Sequence, residues 1–185
     1  LRVWDATTGV ERFSLLGHGV KVFGAAVLDG GQRLLSVSVD GIVKTWDLTN
    51  GEFISGFDEL RAEVRGMDVY TSSEKSLLAT ASLSGDLTIF SIDSGTSRPI
   101  PAIDKDGLWS VAFDAVGEWV AVCSETGTVA MSDAGTGAPL RTFEGHNETV
   151  RALAFSPDRT RLVTAADNAE VIVWDVRTGS PSVRL

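Results

Sequence analysis

The sequence has little of the residues that carry disulfide, thiol and metal chemistry. It contains one cysteine and two histidines among 185 residues. One cysteine excludes a disulfide framework and a paired-cysteine metal site. No apolar run approaches the ~18 residues that a membrane-spanning helix requires. The longest such run, Phe23–Leu28, includes a glycine.

Positive charge is also scarce. The chain has 16 Lys and Arg against 25 Asp and Glu, which is a formal net charge of −9. Nucleic acids and anionic membranes attract basic surfaces, so this balance predicts neither as a partner. The chain begins at Leu1 in strand-like sequence, without Met or a signal peptide, and we expect an excerpt of a longer chain. The lack of a signal peptide and of a cysteine pair predicts a cytoplasmic protein.

A long-period repeat runs through the chain. Trp-Asp occurs at residues 4–5, 46–47 and 174–175, and the weaker copies Phe-Ser and Ser-Asp stand at 90–91 and 132–133. Successive copies are separated by 42, 44, 42 and 42 residues, and each is followed five residues later by glycine. A fixed period of this length is typical of proteins built from repeated supersecondary units.

Each period contains four short β-prone segments separated by turn residues. In the last period these segments are Val150–Phe155, Arg161–Ala166, Val171–Trp174 and Ser182–Leu185. No stretch shows helical periodicity, so almost no helix is predicted. Proline cannot donate a hydrogen bond within a sheet and is therefore confined to edge strands. The fourth segment of each period is therefore predicted to be an edge strand. Four prolines lie in or beside these segments, namely Pro99, Pro101, Pro139 and Pro181.

Four-stranded units with this period and a Trp-Asp ending resemble the WD40-repeat family of β-propellers. The resemblance covers essentially the whole chain. It implies an all-β fold, namely a β-propeller of four-stranded antiparallel blades in a partial ring of about four and a half blades. The proposed segments are a half blade at 1–16 and repeats at about 17–58, 59–102, 103–144 and 145–185.

The family resemblance also implies a hydrogen-bond network inside each blade. The network joins a histidine before the first strand, a hydroxyl in the second, an aspartate in the following turn and a tryptophan in the third. The first full repeat matches it with His18, Ser38, Asp40 and Trp46.

The later repeats depart from this pattern. The last one keeps His146 and Trp174 but has alanine and asparagine at the positions of the hydroxyl and the aspartate. The middle repeats have Leu60 and Asp104 at the histidine position, and Phe and Ser at the tryptophan position. We expect the middle blades to be held mainly by apolar packing and to be less stable, because incomplete networks leave buried polar groups unpaired.

Ligands of this family usually dock on the face formed by the loops that enter the first strand and leave the second. Aromatic residues and arginine are enriched in interface hot spots, and arginine binds carboxylates through paired hydrogen bonds. The alternative is that side chains at these positions only pack together along the rim. The predicted partner-binding residues are Phe23, Arg65, Trp109, Arg151, Lys21, Glu63, Leu83, Glu125 and Asp167.

No catalytic constellation emerges from the sequence. The two histidines stand at one repeat position, 128 residues apart, and are interpreted as structural. Cys123 lies in a predicted inner strand and is interpreted as a buried, inert thiol. The sequence therefore predicts no catalytic residue, no metal site and no cofactor.

The leading hypothesis is a non-catalytic protein–protein interaction scaffold that binds a peptide or protein on its loop face. The resemblance also implies further domains in the same chain. Two alternatives remain open. An open propeller arc would leave blade edges uncovered and self-associate into a closed assembly. An enzyme with a central-channel site would use the carboxylates nearest the channel mouth, which are Glu63, Glu125 and Asp167.

Overall fold

The structure is a computed structural model that describes residues 1–57, 63–101 and 106–185. Leu60 and Asp104, at the histidine position of the middle repeats, lie outside the described residues. The chain divides into two compact units, Leu1–Val64 and Arg65–Leu185. Within the described ranges the secondary structure is β, apart from one 3₁₀ turn at Asp29–Gly31.

The first unit contains a two-stranded sheet and a four-stranded sheet, both antiparallel. Its apolar core includes Leu15, Leu34 and Trp46. Strands β1 (Arg2–Trp4) and β2 (Glu11–Ser14) form the smaller sheet. The larger sheet, blade 1, consists in spatial order of β3 (Val22–Leu28), β4 (Arg33–Ser38), β5 (Val43–Asp47) and β6 (Phe53–Phe57).

Three further four-stranded sheets follow, and in each of them neighbouring strands in the chain are neighbours in the sheet. Blade 2 consists of β7 (Val64–Thr71), β8 (Ser76–Ser82), β9 (Leu87–Ser91) and β10 (Thr96–Ile100). Blade 3 consists of β11 (Leu108–Phe113), β12 (Trp119–Ser124), β13 (Val129–Asp133) and β14 (Pro139–Phe143). Blade 4 consists of β15 (Val150–Phe155), β16 (Arg161–Ala166), β17 (Val171–Asp175) and β18 (Pro181–Arg184).

The fourth strand is the most exposed strand of each blade. Strand β12 is buried at five of its six positions, whereas all four residues of β18 are exposed. In the second unit one apolar cluster joins blade 2 to blade 3, and another joins blade 3 to blade 4. Each fully buried Val, Leu or Phe side chain contributes about 1.5–3 kcal/mol, so face-to-face stacking stabilises this unit.

The fourth strand of each blade is an edge strand, as the proline pattern predicted. Pro99 lies in β10, while Pro139 and Pro181 open β14 and β18. The glycines five residues after the repeat marker also have one conformation, with φ between +66° and +81°. Glycine adopts this left-handed conformation without steric cost, which explains its recurrence. The predicted fold class, an all-β partial propeller of four-stranded antiparallel blades, is confirmed.

Candidate functional site

A buried hydroxyl connects the histidine and the tryptophan of blade 1. Ser36 Oγ accepts the Trp46 indole N–H at 2.9 Å and lies 2.8 Å from His18 Nε2. The sequence assigned this hydroxyl to Ser38, and the structure corrects the assignment to Ser36. Ser38 instead donates to Asp40 Oδ1 and to the Ile42 carbonyl.

In blade 1 the four predicted residues therefore belong to two separate groups of hydrogen bonds. His18 and Trp46 share Ser36, whereas Ser38 binds Asp40. Asp40 binds Ser38 and receives the Ile42 amide at 3.3 Å, while its side chain acts on His18 only through charge. His18 Nδ1 is buried and has no hydrogen-bond partner among the described residues. Desolvation lowers the pKa of His18, so the ring is neutral in the folded protein at neutral pH.

Blade 4 has the same arrangement, although the sequence appeared to lack it. Thr164 Oγ1 accepts the Trp174 indole N–H at 2.8 Å and lies 2.7 Å from His146 Nε2. On the other side of the ring, Glu170 Oε2 lies 3.3 Å from His146 Nδ1. Burial lowers the pKa of His146, although the charge of Glu170 opposes that shift. Glu170 thus supplies the carboxylate beside the histidine in this blade.

One recurring spacing could have revealed the correct hydroxyl. Ser36 and Thr164 each stand ten residues before the tryptophan that they bind. The position of Ser38 instead becomes Ala166 in the last repeat, so only the earlier hydroxyl is present both before Trp46 and before Trp174. Residues two apart in a strand lie on one face, and this made Ser36 and Ser38 hard to distinguish.

The middle blades replace the tryptophan with Phe90 and Ser132, both of which are buried. In blade 3 the hydroxyl position is Val122, which belongs to the apolar cluster shared with blade 2. Ser132 Oγ is buried without a hydrogen-bond partner among the described residues. In blade 3, an apolar contact thus replaces the network, and the lower stability expected of the middle blades stays a prediction.

Three of the predicted partner-binding residues meet in the second unit, each near the start of the first strand of its blade. The Trp109 ring contacts two guanidinium groups. Arg151 Cζ is 3.7 Å and Arg65 Cζ is 5.2 Å from the ring centroid. A cation over an aromatic face is attracted by the ring quadrupole, by about 0.5–1 kcal/mol at an exposed site. We call this group of Arg65, Trp109 and Arg151 the arginine–tryptophan rim.

A fourth predicted residue, Asp167, orients the rim. Arg151 donates to both carboxylate oxygens of Asp167, with Nε–Oδ1 at 2.8 Å and Nη2–Oδ2 at 2.6 Å. Both side chains remain partly exposed, at 41% and 45%. The hydrogen bond from Arg151 lowers the pKa of Asp167 and raises that of Arg151, so both groups are charged.

The remaining predicted residues belong to the second unit or to the first unit. Leu83 and Glu125 are exposed in the second unit, and the Glu125 carboxylate raises the pKa of Arg151. The Glu125 carbonyl also accepts the Thr149 hydroxyl at 3.0 Å. In the first unit the exposed residues of the predicted set are Lys21, Phe23 and Glu63.

The described residues offer little reactive chemistry. Burial raises the pKa of the Cys123 thiol to about 12, so the thiol stays protonated at neutral pH, and its Sγ lies 3.2 Å from the Val150 carbonyl. Over residues 1–57, 63–101 and 106–185, no group of three or more His, Cys, Asp or Glu side chains is arranged to hold a metal ion. No helix in these ranges is long and apolar enough to cross a membrane.

Comparison with known families agrees with the repeat and with the blades. The model of the WD domain, G-beta repeat, matches residues 9–47, 101–131 and 137–175, together more than half of the chain. The chain belongs to the WD40 family. The first and last matches of this WD40 chain run from the outer strand of one sheet to the third strand of the next. A sequence repeat therefore bridges two sheets.

Similar proteins come from distant organisms. WD repeat-containing protein SL1-17 of Schistosoma mansoni is 26% identical over 97% of this chain. Pre-mRNA-processing factor 19 homolog 2 of Arabidopsis thaliana is 26% identical over 95% of it. Eukaryotic translation initiation factor 3 subunit I of Vanderwaltozyma polyspora is 23% identical over 95%. The chain spans 59%, 34% and 55% of the lengths of these relatives.

Proposed function

We propose that this WD40 chain is a non-catalytic interaction module that binds an acidic peptide or protein segment at its arginine–tryptophan rim. The observation that carries the proposal is the contact of Arg65 and Arg151 with the ring of Trp109. Charged guanidinium groups held in place on the surface of an acidic chain are suited to a partner's carboxylates.

The rim is organised before any partner binds. Asp167 fixes Arg151 through Nε and Nη2, which leaves Nη1 for an oxygen of the partner. The indole face restricts both arginine side chains, so binding sacrifices less rotamer entropy than it would for free arginines. Preorganised arginine and tryptophan side chains are the residues that most often dominate interface energies.

The names of two relatives support a role in assemblies. One is a subunit of a translation initiation factor, and one is a pre-mRNA-processing factor. For this chain we propose a protein partner, no nucleic-acid or membrane surface, and a cytoplasmic location. The last of these rests on a single cysteine that is a buried free thiol.

A peptide selection tests the proposal. The purified chain is panned against a random-peptide phage library, and the consensus peptide is synthesised with a fluorescent label. We expect an acidic consensus. We also expect the Arg65→Glu, Trp109→Ala double variant to bind it at least about tenfold more weakly, a loss of roughly 1.4 kcal/mol. Fluorescence anisotropy measures the affinity, and circular dichroism checks that the fold is retained.

Arg12→Glu is the matched control for this experiment. Arg12 is exposed and its Cζ lies 5.3 Å from the Phe13 ring centroid, so the variant makes the same charge change at another arginine–aromatic contact. The control should bind like the wild type. Equal binding by the rim double variant and the wild type would move the contact surface away from the rim.

A further inference from the structure

A second surface of this chain has the lining of a binding site and lies outside the rim. A cleft of about 480 Å³ opens in the second unit between blade 3 and the turns of blade 4. Its apolar lining includes Trp119, Met131, Leu140 and Val176. This volume is within the range of ligand pockets, which is roughly 300–1,000 Å³.

Three arginines surround the apolar part of this cleft. Arg141, Arg159 and Arg177 line it, and Asp175 is the one acidic lining residue. The Asp175 carboxylate is already engaged, since its Oδ1 accepts the Thr178 amide at 2.7 Å and the Thr178 hydroxyl at 2.9 Å. Arg159 is paired with Asp114 and Glu118, so Arg141 and Arg177 supply the positive charge of this lining. We call it the arginine cleft.

The three arginines are held to different degrees. Arg159 stacks over Trp119, with Cζ 4.0 Å from the ring centroid, and forms ion pairs with Asp114 and Glu118. Arg141 donates through Nη1 to the Thr178 carbonyl at 3.0 Å. Arg177 is exposed and forms no salt bridge among the described residues.

The cleft continues along the outer part of blade 3. A second cavity, of about 290 Å³, shares Met131, Leu140 and Arg141 with the first one. Both cavities run beside β14, the edge strand of the blade. Leu140 projects from this strand with 44% of its surface exposed, while Met131 below it is almost fully buried. Because the two cavities share these lining residues, they form one groove along β14.

We infer that the arginine cleft binds an extended acidic segment of a partner protein. A carboxylate of that segment pairs with Arg177 and Arg141, and a large apolar side chain packs on Leu140 and Met131. The charge of the lining selects the acidic residue. The groove's length along an edge strand selects an extended backbone. The inference is independent of the rim, since it uses none of the rim's residues.

A designed peptide probes the cleft directly. The probe is a fluorescein-labelled peptide in which one Glu and one Leu are separated by a single Ser and flanked by Gly and Ser. Side chains two apart in an extended segment lie on one face, so both can reach the groove. Matched peptides with Gln in place of Glu, or Ser in place of Leu, are the controls, and fluorescence anisotropy measures binding.

We expect the Glu-Leu probe to bind and both control peptides to bind at least about tenfold more weakly. Arg177→Gln should lower the affinity for the probe, because it removes a positive charge. Arg177→Glu should lower it further, because it reverses that charge. Raising the salt concentration should also lower the affinity for the probe, since salt screens the attraction between exposed charges. The rim variant Arg65→Glu and the control variant Arg12→Glu should bind the probe like the wild type.

Location and stoichiometry complete the test. A probe carrying benzophenone in place of the Leu side chain should label residues of the cleft, as read by mass spectrometry of the digested protein. The inference is overturned if the probe does not bind, if Arg177→Glu binds it unchanged, or if labelling lies outside the cleft. A concentration-dependent dimer that Arg177→Glu abolishes in light scattering would overturn it too, because the occupant would then be a second copy of this chain.

Discussion

At the scale of single residues, one buried hydroxyl organises two aromatic rings in both blade 1 and blade 4. Ser36 and Thr164 each bind a tryptophan N–H and approach a histidine ring nitrogen. In each case the buried indole N–H donates to this hydroxyl. Leaving a buried donor unpaired costs about 1–3 kcal/mol, so removal of either hydroxyl should lower the stability of the fold.

Ser36→Ala is predicted to destabilise the chain by about 1–3 kcal/mol, because it leaves the Trp46 N–H without an acceptor. Ser38→Ala is the matched variant two residues away. It removes hydrogen bonds to Asp40, which is exposed and regains water, so its cost should stay below about 1 kcal/mol. Urea denaturation of the two variants measures the difference. Equal costs would contradict the special role of Ser36, and a larger cost for Ser38→Ala would assign the network hydroxyl to Ser38.

At the scale of structural elements, an arginine in a turn joins blade 4 to blade 3. Arg159 lies in the turn between β15 and β16, with φ of +62°. Its Nε is 2.5 Å from Asp114 Oδ2 and its Nη2 is 2.7 Å from Glu118 Oε2. The Asp114 side chain is fully buried, and its Oδ1 accepts the amides of Glu118 and Trp119. Arg159 is therefore the counter-charge of a buried carboxylate.

Arg159→Ala is predicted to destabilise the second unit by about 3 kcal/mol, because Asp114 loses its buried ion-pair partner. Alanine and arginine have a similar steric cost at positive φ. The measured change in stability therefore reflects loss of the side-chain contacts and not a change in backbone strain. Arg161→Ala, at an exposed position of β16, is the control and should change stability by less than about 0.5 kcal/mol. Thermal unfolding compares them, and a similar effect of both variants would contradict the role of the Arg159 ion pair.

At the scale of the whole molecule, ionisable groups of two kinds link stability to pH. Burial lowers the pKa of His18 and His146 below the ordinary value of 6.5. The repeated turn aspartates accept hydrogen bonds from the residues that follow them, which lowers their pKa values below 3.8. In Asp158 the hydrogen bond from Ser156 is the largest cause, and the pKa falls to about 2.

These shifts predict acid destabilisation in two steps. As the pH falls through 6.5, the two histidines become protonated in the unfolded chain while they stay neutral in the folded chain. The free energy of unfolding therefore decreases. As the pH falls from 3.8 to about 2, the unfolded chain takes up carboxylate protons before the folded chain does, and stability decreases again. Urea denaturation across this pH range measures both steps.

The double variant His18→Gln, His146→Gln isolates the first step. Glutamine does not titrate, so the decrease below pH 6.5 should disappear while the decrease below pH 3.8 persists. An unchanged first step in the double variant would assign that step to other groups.

Much of the fold was predictable, because repeat spacing is a local property of the chain. The 42-residue period, the turn glycines and the edge-strand prolines each act on their own backbone, so they indicated four-stranded blades directly. His18 and His146, which stand at one repeat position, each lie within hydrogen-bond distance of a hydroxyl in their own blade. Within a strand, however, alternation identifies the face on which a side chain lies and not the residue on that face. For this reason the sequence predicted Ser38 where the structure has Ser36.

The sequence alone determined the family, the blades and which strands lie at their edges, since these follow from periodicity and from the backbone limits of glycine and proline. Only the tertiary structure decided which side chains meet. The Trp109 ring contacts arginines that precede and follow it by about one repeat, Glu170 reaches His146, and three arginines collect at one cleft. Such contacts depend on how strands, turns and neighbouring blades pack in three dimensions, and no local sequence pattern records the distance between side chains on different strands and turns.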